Sequence, residues 1–220
     1  VPQGKICGVS ISFLKDTGMS SFITDVEKYY SKAEVVSFSY DYENLKLNKG
    51  EIKRKDIVYN YRYTGGDVTV FEMTGAQLKK YMEWSADYFD TIKKGDKNYR
   101  YNEERANLKY VTFDIFGGVK YKIDLRNPKG QKIINLTLEN GKKITPEMKI
   151  KVGMNFYRFE QLIKKDGIFE EEDIKMLWSS KDEIGSESGT IQNMMIDYIK
   201  KVKNGVIDGK SHDNWEIIGL

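Results

Sequence analysis

The sequence predicts an α+β domain in which a mixed sheet with hairpins packs against helices. Three observations lead there. Segments with the period-two alternation of strands interleave with segments of helical period. Two turn signals, Gly117-Gly118 and Asn140-Gly141, fall between successive strands and read as tight hairpins, which a purely parallel doubly wound sheet does not use. The 220 residues are 40% apolar and 31% charged, a mixture that can bury the core of one large domain.

Taken in order, Pro2 to Lys15 reads as an incoming connector. Phe22, Ile23, Val26 and Tyr30 share one helical face, which predicts a helix over about 19–32. Val36, Phe38 and Tyr40 alternate with Val35, Ser37 and Ser39 and predict a strand. Lys46 to Lys53 is a polar loop, and Val68 to Met73, rich in β-branched residues, a strand. Thr74-Gly75-Ala76-Gln77 has the capping-box pattern and opens a helix that buries Leu78, Tyr81, Met82, Ser85 and Phe89. Lys93 to Asn107 is polar enough to be a mobile surface loop. Two strands follow, the second carried by Val119, Tyr121, Ile123 and Leu125. Further strands are predicted at Ile133 to Leu138, Lys149 to Asn155 and Asn214 to Ile218. The acidic run Glu170 to Asp173 reads as the first turn of a helix. Ile191, Met194, Met195, Tyr198, Ile199 and Val202 form the apolar face of a helix laid on the sheet and ended by Asn204-Gly205.

Residue counts narrow the chemistry. Cys7 is the only cysteine and His212 the only histidine. No internal disulfide is possible, and a zinc site or two-metal centre normally needs more His, Cys or carboxylate ligands than these supply. A Ser-His-Asp triad would have to rest on His212, in the polar tail 210–213. We therefore expect no catalytic and no metal-binding residue here. A net charge of +3, from 36 basic and 33 acidic residues spread along the chain, is too balanced for nucleic-acid binding. No apolar run approaches the roughly 20 residues of a membrane helix, and no signal peptide is evident. Val1 in place of Met reads as a fragment or processed product.

Several segments, in order, carry a family resemblance. They are Phe22 to Tyr30, Lys49-Gly50 through Ile57, Thr74 to Lys79, Phe113 to Leu125, Lys132 to Thr137, Asn140 to Ile144, Asn155-Phe156-Tyr157-Arg158, and Asp213-Asn214-Trp215-Glu216-Ile217. Together they resemble the C-terminal domain of bacterial 2′,3′-cyclic-nucleotide 2′-phosphodiesterase/3′-nucleotidases and their 5′-nucleotidase relatives, from about Gly18 to Ile218. The resemblance implies that residues 18–220 form a substrate-binding domain. Residues 1–17 would then connect it to an N-terminal metallophosphoesterase domain, absent from this chain, that holds divalent metal ions and hydrolyses the phosphate ester. The parent would be a secreted, periplasmic or wall-associated phosphoric ester hydrolase, and this chain alone inactive.

In the family the nucleoside base lies between two aromatic rings. The first falls on Tyr63 or, if the turn Thr64-Gly65-Gly66-Asp67 adds a residue, on Tyr61; the second falls on Tyr157. Asn155 and Phe38 are further candidates for ligand contact, and Arg158 would meet either phosphate or a nearby carboxylate. The family's small residue and glycine pair are replaced by Phe159-Glu160-Gln161-Leu162, bulky residues that would either block the pocket or form a new helix. A partner nucleotide or nucleoside is the leading expectation. The alternative is a degenerate, non-catalytic domain with a structural or surface-interaction role.

Overall fold

In the computed structural model, which describes residues 4–40, 45–108 and 111–220, the chain opens on a minimal hairpin of β1 (Lys5–Ile6) and β2 (Val9–Ser10). Residues 1–3 of the predicted connector lie outside the described residues. A single 3₁₀ turn, Ile11–Phe13, follows, and Val9, Phe13 and Leu14 are buried in the main core.

Helix α1 (Gly18–Ser31) starts where expected, because Thr17 and Ser20 exchange capping-box bonds, and it stops at Lys32 in the left-handed conformation. Its Phe22, Ile23 and Val26 are buried as the spacing predicted. Strand β3 (Val35–Ser39) comes next, then helix α2 (Arg54–Asn60). Strand β4 (Thr69–Thr74) runs into α3 (Gly75–Ala86), and Thr74 and Gln77 form the predicted capping box. The polar stretch 93–107 is irregular apart from one turn of helix, α4 (Glu103–Ala106). Then come β5 (Asp114–Gly117), β6 (Val119–Asp124), β7 (Ile133–Leu138), β8 (Lys149–Met154), α5 (Phe156–Ile163), β9 (Met176–Ser179), α6 (Ser180–Glu183), α7 (Ile191–Asp197) and β10 (Trp215–Ile218). A π-helical turn, Tyr198–Val202, prolongs α7, and Asn204-Gly205 ends it, with Gly205 N–H donating to Ile199 C=O at 2.8 Å.

Two sheets result. The larger has the order β5-β3-β8-β4-β9, with β3 and β8 parallel and its other pairs antiparallel. The smaller has the order β10-β6-β7, with β10 parallel to β6 and β7 antiparallel to it. The α+β class with mixed sheets is as predicted.

Both hairpin expectations need correction. Gly117-Gly118 is a pivot between sheets: β5 pairs with β3 in the larger sheet, while β6 pairs with β7 and β10 in the smaller. Gly118 alone separates the two strands, too few residues for a two-residue hairpin loop. It takes φ of +85°, and a Cβ there would lie 2.0 Å from the Glu34 carbonyl oxygen, so only glycine permits the pivot. Asn140-Gly141 does make a tight turn, with Gly141 N–H bonded to Leu138 C=O at 2.9 Å and Thr137 bridged to Lys143. The next full strand, β8, nevertheless joins the other sheet.

Two more expectations fail. Glu170 to Asp173 is not helical: it forms a turn with Glu171 at φ +65°, and Glu172 accepts from Gln77 Nε2 and Lys80 Nζ at 2.8 Å each, so its charge is met by side chains instead of a helix N-terminus. The last long helix packs chiefly on α1 and α2 instead of on the sheet.

Candidate functional site

A cavity of about 710 Å³ opens beside the C-terminal end of β3, within the size range of small-molecule sites. One wall is the segment from Tyr61 to Gly66 that joins α2 to β4, and another is the start of α5. Their local structures follow from sequence. Asn155 is the N-cap of α5, its Oδ1 accepting from Tyr157 N–H at 2.9 Å, so Tyr157 sits in the first helical turn with its ring half exposed. The strand therefore ends at Met154, before the predicted Asn155, and Tyr157 is a helix residue.

Asp67 ties the two walls together. Its Oδ2 accepts from Thr69 Oγ1 at 2.9 Å and its Oδ1 from Phe156 N–H at 3.3 Å, a carboxylate at a helix N-terminus. Helix α7 supports the first wall from behind: Ile191 N–H bonds Gly66 C=O at 2.9 Å and Gln192 Nε2 donates to Tyr61 C=O at 2.6 Å. At Gly66 a Cβ would lie 2.7 Å from the Tyr61 hydroxyl and 3.2 Å from Asn155 Nδ2, which shows how closely the loop approaches both.

The floor is polar and buried. Arg158 Nη2 donates to Asp114 Oδ1 at 2.9 Å and to Val111 C=O at 2.9 Å, and Nε lies 2.7 Å from Asp114 Oδ2. Tyr81 OH donates to Asp114 Oδ2 at 2.6 Å and lies 3.0 Å from Ser37 Oγ. Burial, then the Asp114 charge, pushes the Tyr81 hydroxyl well above its usual pKa. Trp84 carries the Arg105 guanidinium 4.1 Å and that of Arg158 5.4 Å from its ring centroid. Beside Asp114 sits Glu27 of α1, 1% exposed. Burial, then the neighbouring Asp114, raises its pKa well above the ordinary value of a glutamate, which favours the protonated carboxyl.

All five sequence-predicted site residues line this one cavity: Phe38, Tyr61, Tyr63, Asn155 and Tyr157. Their situations differ. Tyr63 and Tyr157 are 36% and 51% exposed, whereas Tyr61 is buried and meets Tyr63 edge-on, ring centroids 5.6 Å apart. Phe38 is buried and packs edge-on against Tyr40, itself in the core. Arg158 meets a carboxylate, Asp114. Phe159, suspected of blocking the pocket, turns into the core, its ring stacked on Phe71 at 3.7 Å, while Leu162 is fully buried below it. Phe159-Glu160-Gln161-Leu162 is thus helix α5. Sequence reasoning missed Asp67, Asp114 and Glu27. For Glu27 a signal existed: it lies four residues after Ile23 and three before Tyr30, on the apolar stripe of α1. Among the described residues no group of three or more His, Cys, Asp or Glu side chains is placed to hold a metal ion, and no helix is long and apolar enough to cross a membrane.

The chain is thus an α+β domain of mixed sheets with an aromatic-rimmed cavity where the parallel β3–β8 pair meets the N-terminus of α5. More particularly, a family model of the 5′-nucleotidase C-terminal domain matches residues 6–169, and the chain belongs to that family. It is 27% identical over 239 aligned positions to the trifunctional nucleotide phosphoesterase protein YfkN of Bacillus subtilis, covering 93% of this chain and 15% of YfkN. It is 25% identical over 189 positions to a 2′,3′-cyclic-nucleotide 2′-phosphodiesterase/3′-nucleotidase of Haemophilus influenzae, covering 79% of this chain and 27% of that protein. The chain thus spans about a quarter or less of these relatives. A Staphylococcus aureus protein designated a 5′-nucleotidase, solved in complex with alpha-ketoglutarate, shares the fold with a TM-score of 0.73 at 19% identity, over 94% of this chain and 37% of that one.

Proposed function

We propose that this domain holds the nucleoside part of a nucleotide, with the base stacked between Tyr63 and Tyr157, while a metallophosphoesterase domain outside this chain hydrolyses the phosphate ester. The observation that carries the reading is that two half-exposed tyrosines, from segments nearly a hundred residues apart, border one cavity, with Asp67 bonding across from one segment to the other. Stacking suits a nucleotidase of broad specificity because every base has a π-face. The divalent metals that such hydrolysis uses have no fitting donor cluster among the described residues, so no step of the chemistry is assigned to this chain. We infer from the family resemblance that the parent acts outside the cytoplasm.

The test is calorimetric titration of the purified chain with adenosine and 3′-AMP, beside Tyr157→Ala and Tyr63→Ala. Each substitution is expected to weaken binding by about 1–3 kcal/mol, the scale of one base–aromatic stack. Absence of binding by the unmodified chain would refute the reading and favour a degenerate domain.

A further inference from the structure

Glu27 is the feature that the stacking reading leaves unexplained. It stands on the inward stripe of α1 among Phe22, Ile23 and Val26, where an apolar residue would serve packing. It is 1% exposed, it borders the cavity, and its Oε2 has no hydrogen-bond partner. A buried, unpartnered polar atom is costly unless something satisfies it. Here that atom belongs to a side chain facing a cavity already lined by two half-exposed aromatic rings.

We propose that the Glu27 carboxyl is the group that reads the polar edge of the base, a claim that rests on the base-stacking reading above. A base slipped between Tyr63 and Tyr157 with its sugar toward solvent presents its hydrogen-bonding edge to the floor, where Glu27 lies. A protonated carboxyl offers one donor, its O–H, and one acceptor, its C=O. That pair matches any base edge with a donor beside an acceptor: the amino group and ring nitrogen of adenine or cytosine, or the ring N–H and carbonyl of uracil or hypoxanthine. Such a partner anchors the base without choosing among these four. An ionised carboxylate accepts only. It would suit guanine, whose ring N–H and exocyclic amino group are adjacent donors, and disfavour adenine, whose ring nitrogen would face a second acceptor.

The groups that would influence this ionisation come from every wall. They are Asp114 of β5, Tyr81 of α3 with Tyr88 just after it, Arg158 and Tyr157 of α5, and Tyr61, Arg62 and Tyr63 after α2. Asp114 and Arg158 are paired with each other. On α1 itself, Lys28 is turned to Glu139 and Asp25 to His212.

The experiment titrates the full chain with adenosine, guanosine and N6,N6-dimethyladenosine, whose amino donor is blocked, at pH 6 and pH 9. Glu27→Leu and Glu27→Gln are run alongside, and thermal melts establish that each variant is folded. The unmodified chain at pH 6 is expected to bind adenosine at least about tenfold more tightly than the dimethyl analogue, the scale of a lost hydrogen bond to a base edge. Glu27→Gln, which keeps one donor and one acceptor, should retain that ratio at both pH values; Glu27→Leu should reduce it to within about twofold. Where raising the pH ionises Glu27, adenosine binding should weaken in the unmodified chain, while Glu27→Gln keeps its affinity. If Glu27→Leu leaves the ratio unchanged, or if Glu27→Gln shows the same loss of adenosine affinity with pH as the parent, the proposal is overturned while stacking stands. Should Glu27→Leu fail to fold, the comparison of parent with Glu27→Gln across pH still decides. If no nucleoside binds the unmodified chain, both readings fall.

Discussion

Replacing Arg158 with methionine isolates what the floor of the cleft contributes to stability. The guanidinium side chain is 9% exposed and Asp114 is 0% exposed, so screening by solvent is slight. Methionine keeps most of the stem volume, which limits any cavity, but removes the contacts to both Asp114 oxygens and to the Val111 carbonyl. A buried carboxylate stripped of its cation typically costs about 3–5 kcal/mol. Tyr81 would still donate to Asp114 at 2.6 Å, so the lower half of that range is expected. For a chain of this size each kcal/mol is worth about 2–4 °C, giving a fall in Tm of roughly 6–16 °C for a loss of about 3–4 kcal/mol. Urea titration at pH 7.5 measures the loss directly. A loss below about 1 kcal/mol at pH 7.5 would refute this account of the pair.

Phe159→Ala should cost about 3–5 kcal/mol through lost packing on Phe71, yet leave nucleoside affinity within about twofold, because the ring lies outside the cleft; paired melting and titration check both. Gly118→Ala should destabilise by about 2 kcal/mol or more, from left-handed backbone strain and the clash with Glu34 C=O, and an unchanged denaturation midpoint would contradict the pivot between sheets. Glu27→Gln should be increasingly more stable than the parent from pH 5 to pH 8. The parent's folded pKa is raised by burial, so it loses stability as pH rises above the unfolded value of about 4.3, while glutamine does not titrate; parallel stability curves would rule this out.

What the sequence made legible was local. Thr74 to Gln77 announces its helix through two reciprocal cap bonds made within four residues, and the stripe Phe22, Ile23, Val26 needs only a helix and one apolar neighbour. Sheet membership is not local. Gly117-Gly118 and Asn140-Gly141 specify that the chain turns, but the destination of β6 and β8 depends on β10 and β3, distant in sequence. Helix α5 was one of two readings of Phe159-Glu160-Gln161-Leu162, and what decides for it is local: Asn155 is a cap residue, and Phe159 and Leu162 are spaced for one buried face. The cleft was found through its aromatic rim, since exposed tyrosines at family positions stand out. Its floor was not, because Asp114 and Arg158 meet only in three dimensions, 44 residues apart.

The two extremities of the domain are knotted side by side. Asp16 N–H bonds Trp215 C=O at 3.0 Å, Ile217 N–H bonds Leu14 C=O at 2.6 Å, and Lys15 bridges Glu216 in antiparallel register. Residue 14 thus lies opposite 217, and 16 opposite 215, so a segment early in the chain is pinned to one late in it. Tension that reached this pair through residues 14 and 217 would load its bonds one after another, as a zip fastener is opened, instead of shearing them together.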